Sequence, residues 1–168
     1  FATITRVMQS IKSGETVYVY PGTYAETFSI DTNGVFVIGG DSSNTIIDPP
    51  GDSTNASLYG IYADTQVNLT IKNLRITECN YGIYFNNVDT SAIESIKVDY
   101  CGNASGAGIY LTNGSDSNTI KNSYAYKNYY GIYLNYSNTN TLTNNTSSNN
   151  SWHGFYLNFS SNNTLITN

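Results

Sequence analysis

The run Gly131-Ile132-Tyr133-Leu134 decides the fold, because it returns as Gly60-Ile61-Tyr62-Ala63, Gly82-Ile83-Tyr84-Phe85, Gly108-Ile109-Tyr110-Leu111 and Gly154-Phe155-Tyr156-Leu157. Its glycines stand at positions 60, 82, 108, 131 and 154, giving successive spacings of 22, 26, 23 and 23. A short period repeated this often belongs to a stack of similar turns, each burying its apolar face against its neighbours. Extended residues alternate between two faces, so the Ile or Phe and the residue two further on point one way while the Tyr points the other. The first set reads as the inside of a coil. Tyr62, Tyr84, Tyr110, Tyr133 and Tyr156 read as one outward column.

Working outward from that run, each repeat passes through a corner rich in Asn, Ser and Thr into a second extended segment: Leu69 to Ile76, Ile93 to Val98, Thr119 to Tyr124 and Thr141 to Thr146. There is no room for crossover helices. Each strand is therefore expected to pair in parallel with its counterpart one coil above and below, at roughly 4.8 Å. Ile71, Ile93, Ile120 and Leu142 keep nearly the same period, with spacings of 22, 27 and 22, and the surplus falls in Gly102-Asn103-Ala104-Ser105-Gly106, expected to bulge as a loop. Two residues after these aliphatics stand Asn73, Ser95, Asn122 and Asn144. Stacked amides can bond along the axis, and an internal ladder is expected from at least some of them; tolerance of a tight corner backbone is the alternative. The pattern predicts an all-β fold, a right-handed parallel β-helix of about six to seven coils with a short N-terminal capping helix.

The N-terminal part fits this scheme. Ile4, Val7, Met8 and Ile11 have the spacing of a short amphipathic helix within Thr3 to Ser13, ending before Gly14 and covering the end of the stack. Strands are expected at Thr16 to Tyr20, Phe28 to Ile30, Val35 to Ile38 and Thr45 to Asp48, with turns at Pro21-Gly22 and Gly39-Gly40. Asp48 to Asn55, containing Pro49-Pro50-Gly51, reads as a loop leaving the stack. The whole is one domain over 1–168: a cap at 1–15, the first coils at 16–57 and regular coils, with a period of 22 to 26, at 58–168. The chain opens on Phe1 and stops within a repeat at Asn168, so a portion of a longer protein is expected.

Only 11% of residues are charged, whereas Asn occurs 24 times, so amides and hydroxyls carry the surface polarity. A net charge of −5 with seven Lys and Arg argues against nucleic acid, which needs a clustered basic surface. No apolar run reaches the roughly 18 residues of a membrane span. Ten Asn-x-Ser/Thr sequons, at Asn55, Asn68, Asn103, Asn113, Asn135, Asn144, Asn145, Asn149, Asn158 and Asn162, are candidate N-glycosylation sites of an exported chain. In a sequence this rich in Asn, turn chemistry accounts for them equally well.

The run Gly131-Ile132-Tyr133-Leu134, Ser137-Asn138-Thr139-Asn140-Thr141-Leu142 and Asn144, followed by Gly154-Phe155-Tyr156-Leu157 and Ser160-Ser161-Asn162-Asn163-Thr164-Leu165, resembles the β-helix repeats of the pectin-lyase-like superfamily. It is most similar to the subgroup shared by copper-site maturation proteins of nitrous oxide reductase and archaeal surface-layer-related proteins. The opening from Ser13 to Glu26 looks like the N-terminal part of the same domains. The resemblance implies the fold, but this superfamily houses lyases, hydrolases, esterases, adhesins and structural coats.

Acid-polysaccharide lyases of that superfamily hold Ca²⁺ with Asp on adjacent turns beside a basic residue. Here Arg75 stacks on Lys97, one repeat further on, and the next aligned position is Tyr124. Two mobile surface cations leaning apart is the favoured account, with a subsite for an acidic sugar as the other. Glycoside cleavage needs two facing carboxylates. Asp64, Asp89 and Asp116 follow the glycine at unequal offsets, and Glu78 and Asp99 are one residue out of register. No catalytic residue is assigned. A copper site needs several His, Cys or Met; one His (His153, beside Trp152), one Met (Met8) and two Cys do not suggest one, so neither metal nor cofactor is expected. Cys79 and Cys101 should stack in adjacent turns, as buried thiols in preference to a disulfide.

The tyrosine column remains the strongest surface feature. With Tyr81, Tyr130, Tyr136 and Phe159 beside it, one side of the solenoid is unusually aromatic, suited to cross-strand stacking and to contact with a sugar or protein surface. The expected role is an exported cell-surface structural or adhesive module, self-associating or contacting other envelope proteins or a polysaccharide. A carbohydrate-active enzyme and a glycan-binding module are the alternatives.

Overall fold

The computed structural model describes residues 3–50, 59–102 and 105–168. It is a parallel solenoid with three strands per coil, each belonging to a different sheet. The first sheet stacks Thr16–Val19, Phe36–Gly39, Thr70–Lys72, Ala92–Glu94, Thr119–Lys121, Thr141–Thr143 and Thr164–Ile166. The second stacks Gly22–Tyr24, Thr45–Ile47, Arg75–Thr77, Lys97–Asp99, Tyr124–Tyr126 and Thr146–Ser148. The third stacks Phe28–Ile30, Tyr59–Asp64, Tyr81–Asn86, Ala107–Thr112, Tyr130–Asn135 and Phe155–Asn158.

Register follows the repeats. Ile71, Ile93, Ile120 and Leu142 form one inward column, and Ile61, Ile83, Ile109 and Ile132 another, all fully buried. Burying each such side chain stabilises the stack by roughly 1.5–3 kcal/mol. Ile76, Val98 and Ala125 line the third side, so the interior is one continuous aliphatic column.

The expectations for the second extended segment and for its corner asparagines change. The segments Leu69 to Ile76, Ile93 to Val98, Thr119 to Tyr124 and Thr141 to Thr146 are each two strands, in different sheets. The breaks fall at Asn73, Ser95, Asn122 and Asn144, whose φ values of 59°, 53°, 53° and 54° are left-handed. Such a bend costs Asn little, because its short amide tolerates this region. These residues are therefore the corners, and the one amide bond along the axis among them, Asn144 Nδ2 to Asn122 Oδ1 at 3.5 Å, lies on the exposed outside, not in an internal ladder. The internal ladder stands one residue later and at two further corners. Asn145 Nδ2 donates to the Ile120 carbonyl at 2.8 Å, and Asn145 Oδ1 accepts from Ser123 N at 3.0 Å. Asn118, Asn140 and Asn163 form a second ladder, Asn128 and Asn150 a third. Each buried amide satisfies backbone groups that a corner leaves unpaired.

The helix α1 covers Ile4–Met8 only, because the chain turns at Gln9 and Ser10; Ile11 still packs on the core from outside it. Thr3 caps it by accepting from Arg6 N at 3.2 Å. Glu26 accepts from Ile4 N at 3.0 Å and Thr5 N at 2.9 Å, tying the cap to the first coil. Gly22 opens a strand where a turn was expected, and Gly39 ends one.

Candidate functional site: an aromatic outer face

The five repeat tyrosines do form one column on the outside of the third sheet, in direct register from Tyr62 through Tyr84, Tyr110 and Tyr133 to Tyr156. Their ring centroids are 5.3, 5.1, 4.9 and 4.9 Å apart. Rings lying flat side by side cannot approach so closely, so each turns part of its face to its neighbour. The surface they offer is consequently made largely of ring edges and hydroxyls, and the column consumes much of the ring face that a sugar would stack upon.

A second file joins the first. Tyr59, Tyr81 and Tyr130 precede the glycines and contact Tyr62, Tyr84 and Tyr133 at 4.9, 5.0 and 4.9 Å. Tyr129 contacts Tyr130 at 4.9 Å and stacks on Trp152 at 6.2 Å, while His153 stacks on Tyr156 at 5.1 Å. The band is thus continuous from Tyr59 to Trp152. Sequence reading missed Tyr59, Tyr129, Trp152 and His153 as members; their place one or two residues before the repeat glycines Gly60, Gly131 and Gly154 was the available signal. Tyr136 and Phe159 stack on each other at 4.9 Å at a neighbouring corner. Burial, with the nearby Tyr110 phenol, pushes the Tyr84 and Tyr133 hydroxyls up to about 12.

A polar file borders the band. Asn86 Nδ2 donates to Asp64 Oδ1 at 2.8 Å, Asn135 Nδ2 to the Tyr110 hydroxyl at 3.2 Å, and Asn158 Nδ2 to Asn135 Oδ1 at 2.9 Å. Burial and the Asp64 carboxylate raise the pKa of Tyr62.

On the second sheet, Arg75, Lys97 and Tyr124 are in register as expected. The two cations do not lean apart. Both converge on Asp99, which is only 2% exposed: Arg75 through Nε at 3.0 Å and Nη2 at 3.0 Å, Lys97 through Nζ at 3.6 Å. At the adjoining corner, Lys127 Nζ sits 5.2 Å from the Tyr100 ring and 5.1 Å from that of Tyr126, and donates to the Tyr100 hydroxyl at 3.3 Å.

The remaining candidates lie elsewhere on the coils. Asp89 and Asp116, unequal in offset, nonetheless stack at one corner, where Asp89 Oδ1 accepts from Asp116 N and Asp116 Oδ1 from Asn138 N. Glu78 lies opposite Tyr100 at another corner, one residue beyond the Asp99–Thr77 pair. Cys79 and Cys101 are free buried thiols with Sγ atoms 3.2 Å apart. Of the sequons, Asn55 and Asn103 lie outside the described residues. Asn68, Asn113, Asn144, Asn149 and Asn162 are exposed left-handed corners, Asn135 and Asn158 border the aromatic band, and Asn145 is buried in the internal ladder. Among the described residues no group of three or more His, Cys, Asp or Glu could hold a metal ion. No helix among them is long and apolar enough to cross a membrane.

The right-handed β-helix region family matches residues 23–168, and the chain belongs to that family. Among solved structures it is similar to an alginate lyase from Paenibacillus sp. str. FPU-7, with a TM-score of 0.76 and 17% identity over 84% of this chain and 54% of the lyase. The chain thus spans about half the length of that structure, and the likeness is one of fold. A search of curated proteins finds no match.

Proposed function

We propose that this chain is an exported cell-surface structural or adhesive β-helix, and that the aromatic band is its contact face. The observation carrying this reading is the continuity of the band from Tyr59 to Trp152. Contiguous, half-exposed aromatic surface on this scale marks interaction sites. Because the rings present edges and hydroxyls beside a file of amides, the fitting partner is a neutral, hydroxyl-rich polysaccharide of the envelope, hydrogen-bonded and not face-stacked. A second copy of the chain offers the same groups in complement. Retention on immobilised neutral polysaccharides, and sedimentation across a concentration series, test both. Binding or association that is lost in Tyr110→Ala and Tyr133→Ala is the expected result. A chain that is retained by none and stays monomeric overturns the proposal.

A second reading, polysaccharide lyase, is supported by the fold shared with an alginate lyase and by Lys127, which donates to the Tyr100 hydroxyl on the cationic side and is kept charged by that bond, a candidate contact for an acidic polymer. Incubation with alginate and other uronate polymers, monitored by unsaturated-product absorbance, tests it. Turnover abolished by Lys127→Ala or Lys97→Ala would displace the structural reading.

A further inference from the structure

The band has a property that partner contact does not require. Its rings form an unbroken series of contacts: Trp152 to Tyr129 at 6.2 Å, Tyr129 to Tyr130 at 4.9 Å, Tyr130 to Tyr133 at 4.9 Å, Tyr133 to Tyr110 at 4.9 Å, Tyr110 to Tyr84 at 5.1 Å and Tyr84 to Tyr62 at 5.3 Å. One end is exposed indole, Trp152 being 61% accessible. Near the other end, where Tyr59 packs on Tyr62 at 4.9 Å, stands a carboxylate, Asp64, two residues beyond Tyr62 on the same outer face and held by Asn86 at 2.8 Å. Indole and phenol are the two side chains that give up one electron most readily, and phenol does so only when its proton has somewhere to go.

We propose that the aromatic band is a one-electron relay, which accepts an oxidation at Trp152 from a one-electron oxidant and delivers it to Tyr62, with Asp64 taking the phenolic proton. The indole of Trp152 gives one electron to the oxidant and its N–H proton to water. The resulting indolyl radical recovers an electron through the intervening rings and a proton from water. Tyr62 supplies that electron and passes its O–H proton to the Asp64 carboxylate, leaving a phenoxyl radical beside a neutral carboxylic acid. In sum the oxidant gains one electron, and Tyr62 loses one hydrogen atom as an electron to the oxidant and a proton to Asp64.

Direction comes from the proton partners. Tyr62 shares its outer face with the Asp64 carboxylate, two residues along the same strand, whereas the Tyr110 oxygen accepts from Asn135 at 3.2 Å, which offers no place for a proton. Tyr84 and Tyr133, with hydroxyls pushed up to about 12 chiefly by burial, hold their protons and act as stations. Tyr110 is the junction: its contacts with Tyr81 and Tyr84 on one side and Tyr133 on the other join the halves of the band.

The test is pulse radiolysis of the intact chain with azide radical as oxidant. The single Trp makes the indolyl signal unambiguous. Expected is indolyl decay matched by phenoxyl growth, first order and independent of protein concentration, with nitroso spin-trap adducts located by peptide mass spectrometry at Tyr62. Tyr110→Phe removes one oxygen and leaves the ring in place; it should move the adducts to Tyr129, Tyr130, Tyr133 and Tyr156 and lower those at Tyr62 by an order of magnitude or more. Asp64→Asn should also move them off Tyr62, without changing circular dichroism. Decay that scales with protein concentration, or an adduct map unchanged in Tyr110→Phe, overturns the relay. Neither result bears on retention by polysaccharide, so the contact-face reading stands or falls separately.

Discussion

Asp99 lies buried against Arg75, accepting Nε on Oδ1 and Nη2 on Oδ2, each at 3.0 Å, while Lys97 approaches Oδ2 at 3.6 Å. This one carboxylate explains how two cations occupy directly paired positions on adjacent parallel strands, an arrangement that otherwise costs stability. Asp99→Asn removes the charge and leaves the cations facing each other. Because both cations are partly exposed, the expected loss is ~2–3 kcal/mol, at or below the low end for breaking a buried pair. Urea denaturation measures it, and Arg75→Met in the Asp99→Asn background should restore part of the loss. A change under about 0.5 kcal/mol would make the pair a surface contact of no consequence.

Glycine has different reasons at different coils. A Cβ on Gly131 would run into Ser147 Oγ and the Gly154 carbonyl, whereas one on Gly154 would meet nothing nearer than Ser147 O at 3.3 Å. Gly131→Ala should therefore cost ~2 kcal/mol or more and Gly154→Ala under about 1 kcal/mol. Equal midpoints for the two variants in urea would refute this account of the repeat.

The coil was legible because its signal is redundant: Gly-Ile-Tyr or its Phe variant recurs in every regular coil, and alternation assigns Ile132 inward and Tyr133 outward without further information. The stacking of Arg75 on Lys97 and of Cys79 on Cys101 followed from spacing alone. What spacing cannot show is backbone handedness at a corner. Asn144 and Asn145 are adjacent and chemically identical, yet one bends the chain at φ 54° and the other is buried bonding backbone. Nor can it show where a long side chain ends, so the meeting of Arg75 and Lys97 on Asp99, which spacing places only one residue out of register with Glu78, is not legible in the sequence. The aromatic face was visible as a column, but the edge-and-hydroxyl character on which the proposed partner rests depends on ring separations.

The two kinds of asparagine give a direct comparison. Asn140 Oδ1 accepts from Asn118 N at 2.8 Å and its Nδ2 donates to the Ser115 carbonyl at 3.0 Å, all within the stack. Asn140→Leu strands both backbone groups and should cost ~3 kcal/mol. Asn122→Gly, at an exposed corner with φ 53°, should change stability by under about 0.5 kcal/mol, since glycine reaches that conformation freely. Thermal or urea unfolding distinguishes them, and similar losses would return Asn122 to a ladder.

Tyr84 and Tyr133 make stability fall in alkali. Their folded pKa values, about 12, exceed the ordinary 10, so the folded chain keeps these protons after the unfolded chain has lost them. Stability falls with pH wherever the folded state binds more protons. Their contribution is complete below about pH 10 and is lost as pH rises towards 12. Phenolate absorbance should show a fraction of the 16 tyrosines resisting titration until the fold opens. All of them ionising together near 10, with the fold intact, would contradict the burial of the column.

Cys79 and Cys101 test the interior from the inside. Hydrogen bonding to Cys101, then burial, raises the Cys79 thiol well above its ordinary pKa, so little thiolate exists at neutral pH. Thiolate is the reactive form, and both sulfurs are sealed within the stack. A thiol reagent should therefore label neither cysteine while the chain is folded and both in urea, with the native labelling rate following global unfolding. The folded mass should correspond to two free thiols. Rapid native labelling would mean that the coils around Cys79 open locally, at a cost far below that of unfolding the whole stack.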